Sequence, residues 1–299
     1  MKMYRTAGVV LALAGLLAML TPARAESRIE KNLELRPGGQ FTVESEAGSV
    51  SITGTSRQGA HIVITSDRDD LNKELEFTFT SGPGWASFTA RRKHESFWAH
   101  SLSVQFAIEL PTETRTKVHT GGGSITLSGL RGDAEVKTSG GPIEITGLVG
   151  ILEAFTSGGP IRIREVTGNA EVSTSGGPIN AEAVEGNLKA HTSGGPIQVD
   201  RVSGYVEAKT SGGAIRVTYT PGNYHGGDLV TSGGSIEVAI DRTANLNLDA
   251  STSGGTVVSD IPLREGSTVS RSKMEGELGS GGEPFRLHSS GGSIRIRAL

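Results

Sequence analysis

The hexapeptide TSGGPI, residues 138–143, returns unchanged at 156–161, 174–179 and 192–197. With its threonine as position 1, corners of this kind begin at Thr120, Thr138, Thr156, Thr174, Thr192 and Thr210, a strict step of 18 residues. Thr231 and Thr252 follow at steps of 21, and Ser289 lies 37 residues beyond, close to two further units. Self-similarity at a fixed period marks a repeat architecture.

Within each unit the apolar rhythm has the period of a strand. Position 6 is Ile125, Ile143, Ile161, Ile179, Ile197 and Ile215; position 8 is Leu127, Ile145, Ile163, Ala181, Val199 and Val217. Position 11 is Leu130, Leu148, Val166, Val184 and Val202, and positions 15 and 17 carry pairs such as Ala134 with Val136 and Leu152 with Ala154. Polar residues stand between them, which predicts two short strands per unit, each with one face inward. The Ser-Gly-Gly corner (Gly140, Gly141, Gly158, Gly159, Gly176, Gly177, Gly194, Gly195) is read as one turn, with glycine admitting positive φ. Position 13 is read as the other turn, held by Gly132, Gly150, Gly168, Gly186 and Gly204. Pro142, Pro160, Pro178 and Pro196 at position 5 cannot donate to a ladder, so they stand at a corner or a strand entrance.

Stacking such units at a strand spacing of ~4.8 Å gives parallel sheets, and about nine coils make a rod roughly 45 Å long. The expected class is all-β, a parallel β-solenoid of 18- to 21-residue coils. The hexapeptide left-handed helix also has 18-residue coils, but it needs aliphatic residues every six positions. Position 12 holds Arg131, Val149, Thr167, Glu185 and Ser203 and position 18 holds Lys137, Phe155, Ser173, His191 and Lys209, so that fold and its acyltransferase chemistry are set aside.

Residues 1–25 read as a signal peptide: Lys2 and Arg5, an apolar run from Ala7 to Leu20, then Ala23-Arg24-Ala25. Residues 26–111 read as an all-β N-terminal cap region, with strands around Phe41–Val43, His61–Ile64, Leu75–Phe79 and Val104–Ile108 and a helical turn near Asp69–Leu75. Residues 112–299 read as solenoid repeats with C-terminal capping coils. The chain carries 43 glycines, no cysteine and a formal charge of −3. Removing Lys2, Arg5 and Arg24 leaves 26 basic against 32 acidic residues, a net −6 that disfavours nucleic acid as a partner. Without cysteine, neither disulfides nor a thiolate metal site hold the fold together.

Val104–Pro111 followed by HTGGGSITLSGLRGDAEVKTSGGPIEI (residues 119–145), and MEGELGSGGEPFRLHSSGGSIRI from Met274 to Ile296, resemble a bacterial β-strand-repeat family labelled "putative adhesin". The resemblance covers nearly all of the chain after residue 25. It implies a β-solenoid of unknown function with an adhesion or cell-envelope role, and it offers no catalytic residues to carry over.

Several motifs reduce to the repeat. TSGGPI enters a strand and no lysine follows it, which excludes a phosphate loop, and it lacks the aspartate of calcium-binding nonapeptides. Arg131-Gly132-Asp133 places its glycine at position 13, and Ser270-x-x-Lys273 lacks the partner motifs of penicillin-recognising enzymes. One threonine per coil does not make a two-threonine ice-binding array, and hydroxyl-to-backbone bonding is the expectation. Position 16 gives an outward column of Glu135, Glu153, Glu171, Lys189 and Glu207. The segment GWASFTARRKHESFWAH, residues 84–100, mixes aromatic and basic residues, so Trp85, Arg91, Arg92, Lys93, Phe97 and Trp98 are the candidate partner contacts.

The functional expectation is an exported, non-enzymatic structural or interaction protein of the bacterial envelope, periplasmic or surface-displayed. It needs no cofactor or metal, has no transmembrane segment after residue 25, and has an envelope protein or glycan as partner. A ligand-sensing or envelope-stress component binding peptides, lipids or glycans is the alternative, and a glycan-active enzyme the weaker third.

Overall fold

The computed structural model describes residues 27–67, 71–93 and 103–299. Among these residues, 27 strands and the single-turn helix Leu71–Glu74 build two sheets of 13 and 14 strands. Each repeat gives its first strand to one sheet and its second to the other. Ile143–Val149 runs parallel to Ile161–Thr167 with Ile143 opposite Ile161, and Leu152–Thr156 runs parallel to Ala170–Thr174 with Leu152 opposite Ala170. The chain is a parallel β-solenoid.

The isoleucines of position 6 form a dry column. Ile125, Ile143, Ile161, Ile179, Ile197 and Ile215 are successive register partners, each no more than 1% exposed. Ile236 and Ile294 continue the column. Burying one such side chain contributes about 1.5–3 kcal/mol. The column faces the inward positions 15 and 17 of the other sheet in one continuous core.

The spacing of three between positions 8 and 11 has its own device. Gly129, Gly147, Glu165, Ala183 and Arg201 occupy position 10 with φ of 66°, 66°, 54°, 55° and 58°. Position 10 drops out of the ladder: Thr146 pairs with Arg164 and Leu148 with Val166, while Gly147 and Glu165 pair with nothing. This is a left-handed kink repeated coil after coil, with both paired strands skipping the same position, and it lets both position 8 and position 11 face inward. The left-handed region costs an L-residue roughly 1–2 kcal/mol, which Glu165, Ala183 and Arg201 all bear.

The Ser-Gly-Gly corner departs from expectation. Gly140, Gly141, Gly158 and Gly159 are not in the left-handed region; Gly132, Gly150, Gly168 and Gly186 at position 13 are, with φ between 138° and 154°. What demands glycine at position 4 is proximity. A Cβ on Gly141 would fall well inside contact with the Gly123 carbonyl, and one on Gly159 would meet the Gly141 carbonyl in the same way. Gly158, at position 3, is free of this constraint, since a Cβ there meets nothing closer than 3.8 Å.

The buried position-1 hydroxyl explains the close approach. Thr156 Oγ1 donates to the Gly141 carbonyl one coil earlier at 2.9 Å and accepts from the Gly159 N–H of its own corner at 3.3 Å. Thr138, Thr174, Thr192 and Thr210 repeat the pair of bonds. Each hydroxyl thus ties its own corner to the one beneath.

Both ends depart from sequence order. Ser289 does not follow the Thr252 coil; it lies between that coil and the Thr231 coil. Its Oγ donates to Gly234 O at 2.8 Å, and Thr252 Oγ1 donates to Gly292 O at 2.7 Å. Glu283–Ser289 accordingly pairs with Gly227–Thr231 on one side and Leu246–Thr252 on the other. At the opposite end Gln40–Ser45 and Ser49–Thr55 stack in register on Arg115–Thr120 and Ile125–Arg131, while Trp85–Arg92 and Val104–Pro111 lie beyond them. Antiparallel strands then close three of the four sheet edges: Ala60–Ser66 with Ser27–Leu33, and Leu75–Gly82, at one end, and Lys273–Leu278 with Thr268–Val269 at the other, where the 13-stranded sheet ends on the parallel Val257–Ser259. They cover edges that would otherwise template further pairing.

Two adjacent glycines should therefore respond differently. Gly158→Ala should change stability by no more than about 0.5 kcal/mol, whereas Gly159→Ala should cost about 2–3 kcal/mol, both read by urea unfolding. Thr174→Val keeps the shape but strands the Gly159 carbonyl and Gly177 N–H, and should cost about 1–3 kcal/mol. Thr174→Ser, which copies Ser289, should be much milder in the same measurement.

Candidate functional site

Trp85 begins the strand Trp85–Arg92 and is 49% exposed, opposite Gly82 on the antiparallel neighbour Leu75–Gly82. Ala86, Phe88 and Ala90 alternate inward. Phe88 lies against Phe79 and Phe106 at ring-centroid distances of 5.2 and 5.0 Å, so the aromatic residues of this region seal the end of the core. Arg91 and Arg92 end the same strand, about 20 Å from Trp85 at the rise of an extended chain. The Arg92 N–H donates to the Glu46 carboxylate at 2.9 Å, and the Lys93 N–H to Glu74 O at 3.0 Å. Arg91, Arg92 and Lys93 thus stay adjacent, and Trp85 is remote from them. Phe97 and Trp98 lie outside the described residues.

The position-16 column runs Lys117, Glu135, Glu153, Glu171, Lys189, Glu207 and Asp228 as successive partners on the 14-stranded sheet. It is a zipper of both signs. Lys137 and Lys117 reach Glu135 at 2.5 and 3.0 Å, Lys189 reaches Glu171 at 3.0 Å, and Lys209 bridges Glu207 at 2.7 Å and Asp228 at 3.0 Å. Hydrogen bonds from Lys137 and then Lys117 hold the Glu135 carboxyl below the ordinary glutamate range, and the Lys209 hydrogen bond does the same for Glu207. Hollows of about 330 and 390 Å³ flank the exposed Ile151 on this face. Asp133 of the Arg-Gly-Asp triplet accepts the Ile151 N–H at 2.8 Å, a bond between coils. Ser270 Oγ accepts the Lys273 N–H at 3.0 Å within a hairpin turn.

A third surface lies on the outer face of the 13-stranded sheet. Arg162, Asn180, Gln198 and Arg216, all at position 7, stand in one column across four coils. Arg164, Glu182, Asp200 and Thr218, at position 9, stand beside them. Asn180 and Gln198 are shorter than the arginines at either end, and a groove of about 350 Å³ opens over them. Arg201, on its left-handed backbone, reaches Glu182 at 2.7 Å and Asp200 at 3.3 Å. Arg164 lies 3.6 Å from Glu182. Among the described residues, the Arg162 guanidinium and the Asn180 and Gln198 amides have no hydrogen-bond or ion-pair partner.

Sequence reasoning missed this groove, although its signal was present. Arg162, Asn180, Gln198 and Arg216 recur on the first strand at the same step of 18 as the outward column of the second strand.

The architecture is that of a β-solenoid with register-locked outer columns. A family model for Toastrack DUF4097 matches residues 27–297, and the chain belongs to that family. Among solved structures it is similar to a "putative adhesin" from Bacteroides fragilis NCTC 9343, at 12% identity and TM-score 0.46 over 93% of this chain and 99% of that one. It is also similar to a "putative lipid binding protein" from Parabacteroides distasonis ATCC 8503, at 14% identity and TM-score 0.40 over 92% and 96% of the two chains. A "putative cell adhesion protein" from Clostridium sporogenes ATCC 15579 aligns at 10% identity and TM-score 0.26 over 92% and 100%. No curated protein matches.

The lysine–glutamate zipper has an acid signature. Because Glu135 and Glu207 titrate below the ordinary value of 4.5 in the folded chain, their contribution is full above that value and is lost as pH falls through the lower, folded one. The melting temperature should fall below about pH 4.5, and less steeply in a Glu135→Gln/Glu207→Gln variant, each pair contributing about 0.2–1 kcal/mol. A pH series of thermal melts of both proteins checks this.

Proposed function

We propose that this chain is an exported, non-enzymatic interaction protein of the bacterial cell envelope, a rigid rod that presents patterned side-chain columns to an extended partner. The observation that supports it most directly is the register itself. Outward positions recur at one strand spacing along both sheets, so an elongated ligand running with the rod meets a regular array. Ligand-binding solenoids use their surfaces in this way. Most charged residues of the position-16 column are paired with one another or with the lysines of position 18, which favours a fixed patterned surface over acid–base chemistry.

Export is supported by the pattern of Lys2 and Arg5, the apolar run from Ala7 to Leu20, and Ala23-Arg24-Ala25. No helix among the described residues is long and apolar enough to cross a membrane. Expressed with its native N-terminus in a diderm bacterium, the chain should be recovered outside the cytoplasm with Glu26 as its first residue by intact-mass spectrometry. An unprocessed chain retained in the cytosol would overturn the reading.

A further inference from the structure

The outer column of the 13-stranded sheet reads Glu144, Arg162, Asn180, Gln198, Arg216, Glu237, each residue in register with the next. Its charge pattern is negative, positive, neutral, neutral, positive, negative. Arg162 and Arg216 stand three coil steps apart, about 14 Å. From this we infer that the 350 Å³ groove over Asn180 and Gln198 binds a linear acidic glycan in which acid-bearing sugars are separated by neutral ones. The glycan lies along the rod axis, with one acid group on the Arg162–Arg164 end and another on Arg216.

The charge balance supports an anion. Arg162, Arg164 and Arg216 line the groove against Glu182 and Asp200, and Arg201 pairs with both of those acids, in a chain whose overall charge is −3. Arg201 contacts both of those carboxylates, at 2.7 and 3.3 Å, and so screens the two acids that would repel such a ligand. Arg216 shares the Glu237 carboxylate with Arg297, at 3.1 and 2.9 Å, so one acid serves two guanidiniums. Arg162 has no ion pair among the described residues, and a planar guanidinium accepts a carboxylate through two parallel hydrogen bonds.

The lining chooses among anions. Two amides between the cations offer donors and acceptors to hydroxyl and acetamido groups, the chemistry of sugars. A nucleic-acid strand carries a charge at every phosphate and calls for an unbroken basic stripe, which Asn180 and Gln198 interrupt. An acyl chain would need exposed apolar side chains; Val149, Ile151 and Phe155, which are exposed, do not line this groove. A peptide added as a strand needs a free sheet edge, and this surface is a sheet face.

This inference rests on the interaction reading, but export and folding are measured separately, so its failure would leave that reading standing. The test is isothermal titration of the purified chain from Glu26 with a hyaluronan hexasaccharide, in which glucuronates alternate with neutral N-acetylglucosamine. The parallel arms use an N-acetylglucosamine hexamer and phosphatidylglycerol vesicles. The acidic hexasaccharide should bind saturably. Binding should weaken at least tenfold in Arg162→Gln/Arg216→Gln and in Asn180→Asp, which sets a near-isosteric negative charge between the two arginines. Each variant should keep the parental melting temperature, since all three positions face outward, and Arg57→Gln, at the far end of the rod, should bind as the parent does. Absence of saturable binding, equal binding of the neutral hexamer, preferential binding of the vesicles, or undiminished affinity in the well-folded variants would each overturn the proposal.

Discussion

The structure depends on one close approach, repeated. At each corner from Thr138 onward a hydroxyl, threonine except at Ser289, accepts from the glycine N–H of its own corner and donates to the glycine carbonyl of the coil stacked beneath, as at Thr156, Gly159 and Gly141. For that geometry the two glycine backbones must sit nearer than any Cβ permits, so position 4 is glycine for steric reasons and not for its dihedral freedom. A buried hydroxyl with both bonds made contributes modestly, about 1 kcal/mol net. Its larger effect is on register. A slip of one residue would break the bond at every corner together and would turn the isoleucine column outward. Corner and core therefore enforce the same alignment.

That alignment divides the repeat into constrained and free positions. Positions 1, 4, 6, 8, 11, 15 and 17 answer to the interior. Position 10 is constrained differently: its left-handed backbone keeps positions 8 and 11 on the same side, and the strain is tolerated even when the residue is Glu165, Ala183 or Arg201. Positions 7, 9, 16 and 18 point to solvent, where the fold asks only for solubility. Lysine–glutamate pairs satisfy that demand on one face. On the other, Arg162, Asn180 and Gln198, without partners among the described residues, and Arg216, paired with Glu237, occupy consecutive outward places, which solubility does not explain.

How much of this was legible follows from the same division. The interior could be read directly, because Ile143, Ile161, Ile179 and Ile197 recur at a fixed step and their neighbours alternate. The corner threonine was legible as a backbone partner. The reason for Gly141 and Gly159 was not, since a sequence shows that glycine is present without showing whether a dihedral or a neighbouring carbonyl requires it. The position of Ser289 was misleading: 37 residues after Thr252 is the length of two coils, yet the chain spends part of that length on the antiparallel Thr268–Val269 and Lys273–Leu278 and returns to fill a vacant level. Among the candidate contacts, proximity in sequence proved a poor guide along a strand, where Trp85 and Arg91 share a face but stand about 20 Å apart.

The displaced end coils bear on how the middle of the rod can work. If coils simply followed one another, the last would be held on one side only and would fray, as terminal repeats of a stacked array do. Here the coil containing Ser289 is bonded on both sides, and three of the four outermost sheet edges belong to antiparallel strands. The levels carrying Arg162, Asn180, Gln198 and Arg216 lie well inside the stack, each flanked by paired strands. Side chains projecting from such a scaffold keep their spacing without a ligand to organise them. For a groove recognising an extended polymer this matters more than any single contact. Each weak polar bond to a sugar contributes little, and the sum is favourable only when the sites need no ordering on binding.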